Sequence, residues 1–225
     1  MYPKFKAGAV IAAAGTGERF GEKKQFKLLG RRPLLFHTLT PFLGCSDIAE
    51  IVVVVPKENL ESVSRELASY TSAKPVKTVS GGARRQDSVL NGCRALSDDV
   101  EIIAVHDAAR PFVTSELISA TVSGCNEVEG CIAALPSKDT VKQVAENNIQ
   151  QTLDRSTIWL AQTPQTFHRE ILINALQQDM DATDEASLVE AIGGNVAITQ
   201  GFAGNFKITT NEDWQLAEGI IANNG

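Results

Sequence analysis

No C-x-x-C pair occurs in this sequence. Its four cysteines, Cys45, Cys93, Cys125 and Cys131, are scattered, which leaves neither a zinc spacing nor a redox motif and is the pattern of buried thiols in a reducing compartment. No apolar run approaches the roughly 18 residues that span a bilayer, so no membrane segment is expected. An excess of positive charge is missing too, because the formal net charge is -6. Proteins that embrace nucleic acid draw much of their affinity from Lys and Arg neutralising phosphates. That class is excluded, and any phosphate bound here must be met by a few placed cations. Repeats, linkers and low-complexity stretches are also absent.

What is present fits a compact protein. With 225 residues, 43% hydrophobic and 21% charged, the chain is large enough for one α/β core. We expect a single domain over residues 1–225. The opening MYPKFKAGAVIAAAGTG leads its short apolar run into a glycine loop rather than a cleavage site, so it reads as a first strand and not a signal peptide.

Short apolar runs alternate with helical patterns. Ala9 to Ala14, Ile51 to Val55, Val76 to Val79, Ile102 to Val105 and Ile132 to Leu135 read as strands. Leu34 to Leu43, Leu60 to Tyr70, Asp87 to Leu96, Glu116 to Val128, Glu170 to Gln178, Asp184 to Ile192 and Glu212 to Ala222 read as helices, with Pro33 in the first turn of its own. Such alternation predicts a Rossmann-like, mostly parallel sheet with helices on both faces. Residues 137–160 break the pattern and read as a β-hairpin arm turning at Asn147 and Asn148. A lone hairpin is marginal, so the arm must pack on its own domain or on a second subunit.

Three segments carry candidate chemistry. The loop AAAGTGERFG, Ala12 to Gly21, follows the first strand, where a glycine turn lets backbone N–H groups approach phosphate. It is not a dinucleotide fingerprint, since Phe20 stands where glycine is required, nor a Walker A loop, since Glu22 stands five residues after Gly17. Arg19, Lys23, Lys24 and Lys27 close behind it form either a phosphate-binding cluster or a solvated basic face. In VHDAARPF, Val105 to Phe112, a buried strand delivers Asp107 to the sheet edge with Arg110 nearby. Asp107 is open to three readings: contact with a metal ion, contact with a hydroxyl, or a helix cap. His106 reads as a satisfied core residue. In SGGARRQDSVLNG, Ser80 to Gly92, a Gly-Gly turn precedes Arg84, Arg85 and Ser88, placing backbone groups and a hydroxyl where a base edge or sugar could be read, with Asp87 as a helix N-cap.

These segments, together with KKQF at Lys23 to Phe26, PSKDTVK at Pro136 to Lys142, TLDRSTIW at Thr152 to Trp159, QTPQTF at Gln162 to Phe167, TDEAS at Thr183 to Ser187 and NFKIT at Asn205 to Thr209, resemble the 2-C-methyl-D-erythritol 4-phosphate cytidylyltransferases of non-mevalonate isoprenoid synthesis over essentially the whole chain. Two positions depart from the family pattern: Lys23 replaces a usual proline, and Ala83 a frequent acidic residue, leaving only a backbone contact there. The resemblance implies the nucleotide-diphospho-sugar transferase type of fold and transfer of CMP from CTP to 2-C-methyl-D-erythritol 4-phosphate with release of pyrophosphate. It implies that Arg19 and Lys24 hold the triphosphate, beside the backbone of Ala13, Ala14 and Gly15. Arg155 and Lys207 would position the attacking phosphate. Gly82, Ala83 and Ser88 would read cytosine. Asp107 and Ala108, with Arg110, Thr140, Thr163 and Thr183, would line the ribose and acceptor pockets. It further implies magnesium bound mainly through the CTP phosphates with no residue assigned as its direct ligand, a homodimer whose arms cross so that Thr140 and Arg155 act in trans, and a cytoplasmic location.

Three rivals remain at this point: a cytidylyltransferase for ribitol 5-phosphate or another polyol phosphate, a non-catalytic nucleotide-binding regulator, and a dehydrogenase. The retained cations argue against the regulator, and Phe20 against the dehydrogenase.

Overall fold

The computed structural model describes residues 5–15, 17, 20–68, 74–180 and 182–223. In chain order its elements are β1 (Ala7–Ala12), β2 (Leu28–Leu29), β3 (Arg32–Pro33), α1 (Leu34–Gly44), β4 (Ile48–Val55), α2 (Leu60–Ala68), β5 (Val76–Ser80), α3 (Arg85–Ala95) and β6 (Ile102–Asp107). There follow α4 (Ser115–Ser123), β7 (Gly130–Pro136), β8 (Lys142–Ala145), β9 (Asn148–Thr152), β10 (Trp159–His168), α5 (Arg169–Leu176), α6 (Glu185–Ala191), β11 (Val196–Gln200) and α7 (Asn211–Asn223).

Seven strands form one sheet in the order β11-β7-β10-β6-β1-β4-β5. All neighbours pair in parallel except β10, which runs antiparallel between β6 and β7. β1 lies near the middle because its small and β-branched residues suit burial on both faces. Ala9 and Ile11 pack with α1, α2 and α4 on one side, while Val10 packs with α3 and α5 on the other. The period-2 alternation of side chains across the sheet thus sorts a near-continuous apolar run into two cores. A third cluster joins Phe20 and Leu29 to Ile208 and Trp214, docking α7 against the segment that follows the glycine loop.

The doubly wound sheet agrees with expectation, with some differences of detail. β10 and β11 were not legible as strands. β10 holds Pro164 and a buried polar row, Gln162, Thr163, Gln165 and Thr166, which local propensity scores against a central strand. Tertiary partners satisfy that row: Thr166 donates to Thr121 at 2.8 Å, and Gln165 bonds across to Asp184. The helix expected to Val128 ends at Ser123 and gives way to a 3-10 turn, Gly124–Asn126. Pro33 is the N-cap residue rather than part of the first turn. Tyr70 lies outside the described residues.

The hairpin of β8 and β9 forms, but its turn sits one residue earlier than expected. Glu146 and Asn147 carry the positive φ values, 49° and 64°, and Asn148 already belongs to β9. The reason is the pairing of Ala145 with Asn148, which leaves a two-residue loop. Arm residues Val144 and Ile149 are 54% and 64% exposed, and neighbouring Leu160 is 57% exposed.

Candidate active site

The carboxyl ends of β1, β4 and β6 are level, because Ala12 pairs with both Val54 and Asp107. The loops leaving this edge converge, as ligand-binding loops of parallel α/β sheets do. Backbone bonds fix their roots: Ala13 N–H donates to Val54, Ala108 N–H to Ala12 and Gly81 N–H to Val55. Gly81 has to be glycine for close approach, since a Cβ there would stand 2.5 Å from the Ala14 Cβ and 2.9 Å from the Ser88 Oγ. The Gly81–Gly82 turn therefore touches the loop that holds Ala13, Ala14 and Gly15.

Gln25, buried in the turn Lys24–Phe26, donates from Nε2 to the carbonyls of Ala13 and Gly15, each at 2.9 Å. It clamps the glycine loop and brings Lys24 behind it. Lys24 Nζ lies 5.5 Å from the centroid of the Phe20 ring. Lys23 pairs with Glu58 and Lys27 with Glu22 at the surface, in keeping with a solvated face. Arg19 lies outside the described residues.

Ser88 accepts from Gly82 N–H at 3.0 Å and donates to the Arg84 carbonyl at 3.1 Å. Its visible task is to lock the turn beside the exposed Gly82 and Ala83. Asp87 is not an N-cap: it is the third residue of α3, and its carboxylate accepts from the N–H of Arg84, the residue that caps the helix.

Asp107 is neither exposed nor a cap. It ends β6 and is surrounded by three cations: Arg85 Nη2 at 3.2 Å from Oδ1, Lys207 Nζ at 2.8 Å from Oδ2, and Arg110 Nε at 3.8 Å from Oδ2. Burial alone would raise its pKa, but Arg85, Lys207 and Arg110 outweigh burial and hold the carboxyl well below its usual range. Lys207, on the segment between β11 and α7, is held here because Ile208 N–H donates to the Ala109 carbonyl at 2.8 Å. On its other side Arg85 bonds Glu185 of α6, which is 1% exposed. Burial raises the Glu185 pKa against the pull of Arg85.

The His106 ring is buried between two partners, the Thr163 hydroxyl at 2.9 Å from Nδ1 and the Arg110 carbonyl at 3.2 Å from Nε2. A carbonyl only accepts, so Nε2 carries the proton and Nδ1 accepts from Thr163. Thr163 in turn accepts from Asp107 N–H at 3.2 Å. Burial pushes the His106 pKa down to about 4, which keeps the ring neutral. His106 is thus the satisfied core residue expected, and it also fixes the hydroxyl of Thr163.

The structure brings together Ala13, Ala14, Gly15, Lys24, Gly82, Ser88, Asp107, Ala108, Arg110, Thr163 and Lys207 around one sheet edge. Thr183 is exposed, two residues before Glu185. Thr140 and Arg155 lie at the base of the arm, both exposed, with Arg155 donating to the Lys138 carbonyl at 2.7 Å. Sequence reasoning gave no role to Arg85, Glu185, Gln165 or Gln25. Glu185 had a signal: it shares a helix face with Leu188 and Val189, and a carboxylate at an apolar position needs a partner.

Three buried side-chain atoms among the described residues lack a hydrogen-bond partner: Arg110 Nε, Glu185 Oε2 and Asn205 Oδ1. All belong to this edge or its immediate support. With Arg85, Arg110 and Lys207 against Asp107 and Glu185, the cluster has three positive and two negative groups, a local surplus of cation in an acidic protein. Fold and site together define a Rossmann-like α/β protein with a cation-rich cluster at the carboxyl edge of its sheet.

Comparison with known proteins narrows the class. Residues 7–223 match the family described as IspD: 2-C-methyl-D-erythritol 4-phosphate cytidylyltransferase. The protein of that name from Syntrophus aciditrophicus is 41% identical over 226 residues, covering 97% of each chain. The one from Halalkalibacterium halodurans is 40% identical, covering 95% of this chain and 96% of the relative. The crystal structure of 4-diphosphocytidyl-2C-methyl-D-erythritol synthase from Anaerococcus prevotii superposes with a TM-score of 0.86 at 28% identity, covering 97% of this chain and 99% of that one. The chain belongs to the IspD family of 2-C-methyl-D-erythritol 4-phosphate cytidylyltransferases.

Proposed function

We propose that the protein transfers CMP from CTP to 2-C-methyl-D-erythritol 4-phosphate, forming 4-diphosphocytidyl-2-C-methyl-D-erythritol and pyrophosphate. A phosphate oxygen of the acceptor attacks the α-phosphorus of CTP, the new P–O bond forms, and the bond to the β-phosphate oxygen breaks as pyrophosphate leaves. The attacking phosphate is already ionised and needs no general base. The demand is for fixed cations, because negative charge gathers on the oxygens of the transition state. The observation that carries this reading is the grouping of Lys207, Arg110 and Arg85 around Asp107, beside a glycine loop, in a member of this family. Lys24 and Arg19 serve the triphosphate, and Lys207 and Arg155 orient the acceptor phosphate. Asp107 and Ala108 with Arg110, Thr140, Thr163 and Thr183 line the acceptor side.

The cytosine is read at Gly82, Ala83 and Ser88. The N–H groups of Gly81 and Gly82 are both spent internally, so that turn offers a base its carbonyl oxygens, acceptors suited to the cytosine amine. Magnesium is assigned to the phosphates of CTP. Among the described residues no group of three or more His, Cys, Asp or Glu side chains is placed to hold a metal, and both Asp107 oxygens face cations.

The partner in the homodimer is a second copy of this chain, met through the arm. Exposed Val144, Ile149 and Leu160 support this, since an isolated hairpin with an apolar face is poorly stable in water. No described helix is long and apolar enough to cross a membrane, and we assign the enzyme to the cytoplasm.

Pyrophosphate release tests the whole reading when assayed with CTP or UTP against 2-C-methyl-D-erythritol 4-phosphate and ribitol 5-phosphate. CTP with the methylerythritol phosphate should exceed every other pair in kcat/KM. UTP should lose on the order of 100-fold or more, because its carbonyl leaves the turn's acceptors unpaired. Equal kcat/KM for the two polyol phosphates would move the enzyme to the broader polyol-phosphate class.

A further inference from the structure

Arg85 and Glu185 are the two charged groups of the cluster to which the proposed chemistry gives no separate task. Glu185 is buried to 1% exposure, and one of its oxygens has no hydrogen-bond partner. The arrangement is costly, because desolvating a carboxylate is repaid only by good geometry and full hydrogen bonding. The Arg85 side chain keeps 37% exposure, so the burden falls on Glu185. Leu or Met would fill the space more stably, so stability alone does not account for the pair.

Geometry does account for it. Glu185 is held rigidly: Gln165 Oε1 accepts from the N–H groups of Glu185 and Ala186 at 3.1 and 3.0 Å, and Gln165 Nε2 donates to Asp184 at 2.8 Å. Glu185 holds one arm of the Arg85 guanidinium, and the other arm holds Asp107 Oδ1. Asp107 is thus anchored from behind, with only Oδ2 turned to Lys207 and Arg110. It stops 3.8 Å short of Arg110 Nε, a buried donor with no other partner.

We propose that Arg85 and Glu185 are a positioning pair, which holds Asp107 on Lys207 and back from Arg110, so that the buried Arg110 Nε stays available to the acceptor phosphate. Without the pair, Asp107 closes onto Arg110 as well and competes there with the incoming anion. This deepens the reading of the site as an acceptor-phosphate pocket and rests on it.

The test uses Arg85→Met with Glu185→Leu together, a double substitution that leaves the site's net charge unchanged, so any loss reports geometry rather than charge. It should melt within a few degrees of wild type, keep its KM for CTP within about two-fold, and lose about 10- to 100-fold in kcat. Arg85→Lys should not rescue, because an ammonium cannot bridge two carboxylates as a planar fork does. Glu185→Gln, which keeps the shape, should fall between. Should the double variant not fold, Arg85→Lys and Glu185→Gln decide by the same kcat measurement. A folded pair variant or Arg85→Lys with wild-type kcat overturns the proposal, and so does a loss confined to the KM for CTP. Calorimetric binding of inorganic phosphate separates this from the assignment of substrate. The pair variants should bind phosphate about 10-fold more weakly even if wild type proved inactive with the methylerythritol phosphate, and unchanged phosphate affinity counts against the pair alone.

Discussion

At the scale of single residues the site is governed by which proton or charge each group is left with. His106 is neutral because burial pushes its pKa down to about 4, against about 6.5 in an unfolded chain. Above pH 6.5 both states are neutral and the ring adds no pH dependence. As pH falls from 6.5 toward 4 the unfolded chain takes up the proton and the folded one resists, so stability is lost through that window, to a total on the order of 3 kcal/mol. Asp107, held low, acts further down: its contribution is present above its unfolded pKa and is lost as pH falls below that toward its folded value. Glu185, held high, has the opposite sign, favouring the fold below its unfolded pKa and losing that contribution as pH rises through its folded value. Urea unfolding at pH 7.5, 6.0 and 5.0 should therefore show falling stability in wild type and a flatter profile in His106→Phe. Parallel profiles would remove His106 from this role. Lys24 is the second residue-scale prediction. Its charge is needed most as negative charge moves onto the transferring phosphates, so Lys24→Ala should lower kcat by about 100- to 1000-fold, with a smaller change in CTP binding. Steady-state kinetics at saturating CTP checks it.

At the scale of elements, α3 and β1 are the joint on which the nucleotide side depends. Gly92 faces the sheet, where a Cβ would stand 2.5 Å from Val10 Cγ1 and 2.8 Å from Val54 Cγ2. Gly92→Ala should cost about 1–3 kcal/mol through overpacking, although alanine is the better helix former. A thermal melt reads the loss, and a gain in stability would show that the helix retreats without strain. Strands and helices were legible to differing extents for physical reasons. β1, β4 and β6 show in the sequence because both faces are apolar and the run is unbroken. β10 hides because its polar side chains are satisfied by groups far away in sequence: Thr121 of α4, Asp184 at the start of α6, His106 of β6 and Phe202 after β11. The arm showed in outline, but its turn was misplaced by one residue, since pairing register and not the Asn-Asn dipeptide sets the loop.

At the scale of the whole molecule the question is where Arg155 acts. It sits on the turn after β9 and is bonded to the arm's own base. Subunit mixing decides between cis and trans. Lys24→Ala and Arg155→Ala chains, each nearly inactive, are combined under conditions that exchange subunits. If Arg155 serves the neighbour, one site of the mixed dimer takes both lesions and the other is intact, so activity returns toward half of wild type per dimer. No recovery despite proven heterodimers would place Arg155 in its own subunit's site.

The sequence by itself determined the layered α/β class, the glycine loop, the family and most of the residues gathered at the sheet edge, because each of these is written in local runs: apolar periodicity, glycine turns and ordered motifs. Only the tertiary structure decided how the charges are shared. Arg85 meets Asp107 across 22 positions and Glu185 across 100, and no local pattern says which of several cations will face a given carboxylate. That choice follows from packing α3, β6, β10 and α6 against one another, which places Glu185 on a buried helix face and leaves Arg85 as the charge within its reach.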